Sequence, residues 1–84
     1  MSYSQIPQIE RDALIALYTS TDGANWKENT GWLGAVGTEC GWLGVNCSSG
    51  NVTSIYFKKN DLNGTIPKEL GNLSQLISLT LEQN

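Results

Sequence analysis

Apolar and polar positions along the 84-residue chain fall into a helical stretch and a repeated strand. From Ile6 to Tyr18 the apolar residues Ile6, Ile9, Ala13, Leu14 and Leu17 recur at helical spacing, with Gln8, Arg11 and Asp12 on the other side. This predicts an amphipathic helix that covers an apolar edge. Pro7 suits its first turn, Glu10 the positive end of its dipole, and Thr19 to Gly23 supplies the stop. Further on, Asn51 to Asn60 and Gln75 to Asn84 match at an offset of 24 residues: Val52 falls on Leu76, Ser54 on Ser78, Ile55 on Leu79, Phe57 on Leu81 and Asn60 on Asn84. Alternation along a strand turns Ile55 and Phe57 inward. Ser54, Tyr56 and Lys58 then face the other way, and Ser78, Thr80 and Glu82 repeat them as a second row beside the first.

Between the two copies runs Leu62-Asn63-Gly64-Thr65-Ile66-Pro67-Lys68-Glu69-Leu70-Gly71-Asn72-Leu73. It closely resembles the L-x-G-x-I-P-x-x-L-G-x-L stretch of plant-type leucine-rich repeats, whose period of roughly 20 to 29 residues includes the offset seen here. Pro67 suits the first turn of a short helical or 3₁₀ segment and Gly71 its stop, while Leu62, Ile66, Leu70 and Leu73 are expected to fill the coil. Asn60 and Asn84 are the expected structural asparagines, each enclosed in a turn where its amide satisfies backbone groups beyond the ladder.

The stretch Cys40-Gly41-Trp42-Leu43-Gly44-Val45-Asn46-Cys47 resembles the C-x-W-x-G-V-x-C segment of the cap that precedes such repeats in receptor-kinase ectodomains and polygalacturonase-inhibiting proteins. Residues 11–26 depart from the usual land-plant cap and look more like caps of microbial and protist relatives. The resemblance implies an α/β fold: the start of a leucine-rich-repeat solenoid, with a helix and β-hairpin cap over residues 1–51. Repeats follow over residues 52–84, one complete and then the strand of the next, with their strands parallel. It also favours a disulfide between Cys40 and Cys47. The competing metal site has too few ligands, since the chain has two Cys and no His. Ser48 to Asn51 reads as a turn, so Gly44 to Cys47 is expected to pair antiparallel with Val52 to Lys58.

Trp26, Trp32 and Trp42 lie close together in sequence. Such clusters line some carbohydrate sites, yet in a small domain large rings more often supply core, about 150 to 250 Å² each. The loop from Leu33 to Glu39, with Gly34 and Gly37, reads as exposed and mobile. The net charge of −3 and the lack of a basic run argue against nucleic acid or an anionic membrane as partner. No stretch approaches the roughly 20 apolar residues of a membrane span, and none reads as an export signal. The cysteines nevertheless favour an extracellular or cell-surface setting over a cytoplasmic one.

Nothing points to catalysis or to a cofactor. With no His the commonest general base is missing, and no phosphate loop or nucleophile motif occurs. Glu10, Asp12, Glu28, Glu39, Glu69 and Glu82 read as solvated surface. Four N-x-S/T triplets, at Asn46, Asn51, Asn63 and Asn72, are possible N-glycosylation sites, although such triplets also arise readily in Asn- and Ser-rich loops. The expected function is a non-catalytic module that binds a protein or peptide through Ser54, Tyr56, Lys58, Ser78, Thr80 and Glu82. The alternatives are an inhibitor of a secreted glycan hydrolase and a purely structural capping segment. Because about three repeats are usually needed to bury a continuous core, the chain is expected to be a fragment or an unusually short member. Ile77, Leu79 and Leu81 in the second strand are then expected to drive self-association.

Overall fold

The computed structural model describes residues 6–58 and 62–82. Helix α1, Gln8–Ser20, is followed by strands β1, Val45–Ser48, β2, Asn51–Lys58, and β3, Ser78–Glu82. Short 3₁₀ turns occupy Gly23–Asn25, Glu39–Gly41 and Lys68–Asn72. The sheet order is β1-β2-β3, with β1 antiparallel and β3 parallel to β2. This is a small α/β domain with one helix and a three-stranded sheet. The parallel register is Ser54 to Ser78, Ile55 to Leu79, Tyr56 to Thr80, Phe57 to Leu81 and Lys58 to Glu82, the alignment that the internal repeat predicts. Asn60 and Asn84 lie outside the described residues.

The hairpin forms where expected. Ser49 and Gly50, with φ of 53° and 79°, make its two-residue turn, the left-handed pair whose twist matches that of the strands. A bulge follows, since Asn46 opposes Ser54 while Cys47 opposes Val52 and Thr53 is passed over. Cys40 and Cys47 are joined by a disulfide that ties the 3₁₀ turn at Glu39–Gly41 to β1.

Trp26, Trp32 and Trp42 are all buried. They pack as a chain: Trp26 meets Trp32 edge-on at 5.0 Å between centroids, Trp32 meets Trp42 at 5.0 Å, and Trp26 meets Phe57 at 4.8 Å. Each indole N–H is satisfied, by Thr21 O, Leu43 O and Thr38 Oγ1 respectively, so the rings contribute apolar area without an orphaned donor. Ala13, Leu14 and Leu17 of α1, Val45, Val52, Ile55 and Phe57 of the sheet, and Leu70 and Leu73 complete the core.

Several expectations are corrected. The inward stripe of α1 is Glu10, Ala13, Leu14 and Leu17. Ile9 sits about a quarter turn off that stripe and is exposed, whereas Glu10 is 2% exposed and Glu39 1%. Neither acid is solvated surface. Glu10 accepts from Asn51 Nδ2 and Val52 N, both at 2.8 Å. Glu39 accepts from Arg11 Nη1 and from Gly37 N. Gly71 falls within the 3₁₀ turn Lys68–Asn72 instead of ending it. Ile66 is exposed and lines a shallow cleft with Thr21, Leu62, Gly64 and Leu81 instead of filling the coil. The segment from Leu33 to Glu39 is indeed exposed at Leu33 and Val36, yet it is bonded both to α1 and within itself. Arg11 Nη2 donates to Gly34 O at 2.9 Å and Thr38 Oγ1 to Ala35 O at 2.6 Å.

Candidate binding face

The two faces of the sheet differ because β2 alternates. Ile55 and Phe57 are buried, and Tyr56 between them is 53% exposed. The segment that carries the chain from β2 to β3 brings Leu70 and Leu73 into the same core as Ile55, Phe57 and α1, so it covers the inner side of the sheet. Ser54 and Tyr56 are left on the outer side.

Parallel pairing sets Ser54 beside Ser78 and Tyr56 beside Thr80. On the other flank Asn46 opposes Ser54 and is exposed, and directly paired residues project from the same face. One row therefore runs Asn46, Ser54, Ser78. Tyr56 N donates to Gly44 O at 2.9 Å, and a Cβ on Gly44 would lie 2.5 Å from Tyr56 O. Gly44, at φ 83°, is thus the residue type that this close approach of backbones admits. The same Cβ would lie 2.9 Å from the Phe57 ring, on the inner side of the sheet. Lys58 and Glu82 are partners in the backbone register. Asn46 joins this face because the bulge moves it from Thr53, the partner that the two-residue turn alone would give it, to Ser54.

The resulting surface consists of hydroxyl and amide groups around one phenol. It offers hydrogen-bond donors and acceptors beside an exposed aromatic ring. Among the described residues, no group of three or more His, Cys, Asp or Glu is placed to hold a metal ion. None of the described helices is long and apolar enough to cross a membrane.

Comparison with known proteins adds a family context. A probable inactive receptor kinase of Arabidopsis thaliana is 34% identical over 76 residues, which is 89% of this chain and 11% of that protein. A receptor-like kinase of the same plant is 31% identical over 77 residues, 89% of this chain and 8% of its own. A probable leucine-rich repeat receptor-like serine/threonine-protein kinase is 29% identical over 98 aligned positions, 100% of this chain and 10% of its own. The chain is similar to plant leucine-rich-repeat receptor-like kinases. It spans about a tenth of the length of these curated relatives and does not cover their kinase part. No family model matches it, and no solved structure does.

Proposed function

We propose that the chain is a non-catalytic recognition module that binds a protein or peptide on the outer face of the sheet, through Ser54, Tyr56, Lys58, Ser78, Thr80 and Glu82. The observation that carries this reading is Tyr56, which stands 53% exposed between two buried neighbours. An exposed aromatic held on a strand offers contact area at low entropic cost. Ser54, Ser78 and Thr80 beside it supply the hydrogen bonds that fix an extended ligand across the strands. Similarity to receptor kinases supports the same reading, and together with the Cys40–Cys47 disulfide it supports an extracellular or cell-surface setting.

Selection of binders from a displayed random peptide library tests the face. Binders should lose affinity at least about tenfold, roughly 1.4 kcal/mol, on Tyr56→Ala with the melting temperature unchanged. Binders that ignore this substitution and are lost on Leu33→Ser or Val36→Ser would move the site to the cap. The same chain exposes Ile77 at 85% and Leu79 at 41%, which supports self-association along β3. Sedimentation velocity over a concentration series should then show a dimer that Ile77→Ser weakens, and a monomer at every concentration would exclude it.

A further inference from the structure

The four N-x-S/T triplets are not equivalent in the folded chain. Asn51 is committed: its Nδ2 donates to Glu10 Oε2 at 2.8 Å, and that carboxylate is 2% exposed. A sugar on this nitrogen would have to push aside a buried acid that also holds Val52 N. Asn46 is exposed, but it opposes Ser54 in the hairpin and Cys47 of its triplet is locked in the disulfide. Asn63 and Asn72 differ from both. Each is exposed, as are Thr65 and Ser74, which complete their triplets. Both lie between β2 and β3, the three residues of each triplet stand outside the strands, and Asn72 closes the 3₁₀ turn Lys68–Asn72.

We propose that Asn63 and Asn72 are N-glycan acceptors and that Asn51 and Asn46 are not. In the transfer, the side-chain amide nitrogen forms a bond to the anomeric carbon of a lipid-pyrophosphate-linked oligosaccharide. The bond from that carbon to the phosphate oxygen breaks, the lipid pyrophosphate departs with the electron pair, and the amide gives up one proton. No oxidant or metal-held intermediate is needed to balance the step. The glycans would stand on the segment that covers the Ile55 and Phe57 side of the sheet, so the row Asn46, Ser54, Ser78 and the Tyr56 ring stay bare. The assignment rests on exposure and hydrogen bonding alone and is independent of whether that row binds a partner.

The test is secretion of the full chain from a eukaryotic host behind a cleavable signal sequence, followed by enzymatic deglycosylation in ¹⁸O water and peptide mass spectrometry. Label is expected at Asn63 and Asn72. Thr65→Ala and Ser74→Ala should each remove the mass of one glycan while keeping the asparagine, and Thr53→Ala and Ser48→Ala should remove none. Secreted, disulfide-bonded chain bare at Asn63 or at Asn72 would overturn the proposal, as would label at Asn51 or Asn46. If a substituted chain is retained in the cell, the unsubstituted chain's peptide map decides the same question.

Discussion

The side-chain amide of Asn51 and the carboxylate of Glu10 meet at 2.8 Å although 41 residues separate them. The second carboxylate oxygen takes the N–H of Val52. Val52 lies two residues ahead of Ser54, where pairing with β3 begins, so the acid serves a backbone donor that the third strand does not reach. Helix and sheet are joined there by charge-assisted hydrogen bonds in a dry place, where an unmade bond is expensive.

Glu10→Ala is therefore expected to destabilise the fold by about 3 kcal/mol, because two donors lose a charged acceptor and one of them is a buried backbone N–H. Glu10→Gln keeps the shape and one acceptor oxygen but turns an NH₂ toward a donor, so about half that loss is expected. Urea unfolding of both variants checks the order. Equal stability of Glu10→Ala and the unsubstituted chain would mean that the carboxylate is not the joint described here.

This joint marks the limit of what is legible in the sequence. The strands were readable because period-two alternation and a 24-residue repeat are local signals, and the register Ser54 to Ser78 followed from them. Likewise the rings of Trp26, Trp32 and Trp42 were readable as core, since a small domain has few other sources of apolar area. Glu10 and Glu39 were not. An acid in the first turn of a helix and another in a loop both look solvated until the partners are known, and apart from Gly37 N those partners come from 41, 42 and 28 residues away. Arg11 shows the same limit: placed on the polar side by periodicity, it bonds Glu39 and lies with its Cζ 5.2 Å from the Trp42 ring centroid. On the candidate face, Tyr56 was visible from alternation alone, whereas Asn46 enters only through the bulged pairing across the hairpin.

A second prediction concerns the disulfide. Cys40 and Cys47 close a loop with a sequence separation of 7, and chain entropy gives such a short loop about 2 to 3 kcal/mol of stabilisation. In a domain this small that is a large share of the total, so reduction should lower the melting temperature by roughly 10 to 20 °C. Calorimetry with and without reductant measures the shift, and thiol titration of the unreduced chain should find no free cysteine. A shift of under about 3 °C would show that the Trp42 and Val45 packing on either side of Leu43 and Gly44 already holds the loop.

The last prediction rests on how the segment after β2 docks against α1. The C-terminal carbonyls of a helix lack partners within it. Here Leu17 O is taken by Thr21 N at 3.1 Å and Thr21 Oγ1 at 2.6 Å, Ser20 O by Thr65 N at 3.3 Å, and Thr21 O by Asn63 N at 3.0 Å. The repeat thus closes the end of the helix with its own backbone, and Gly64, between the two donors, is the residue that lets the chains approach. A Cβ there would fall 1.9 Å from Ser20 O, on a backbone with φ 138°. Gly64→Ala must therefore displace the segment and break at least one of these bonds, at an expected cost of about 3 kcal/mol. Gly71, in the same segment, has nothing within 4 Å of a built Cβ, so Gly71→Ala is expected to stay within about 0.5 kcal/mol of the unsubstituted chain. Chemical unfolding of the two variants in parallel reads the contrast, and hydrogen exchange should show the amides of Asn63 and Thr65 losing protection in Gly64→Ala alone. If both alanines are tolerated equally, the close approach of Gly64 to Ser20 is not what seats the repeat on the helix.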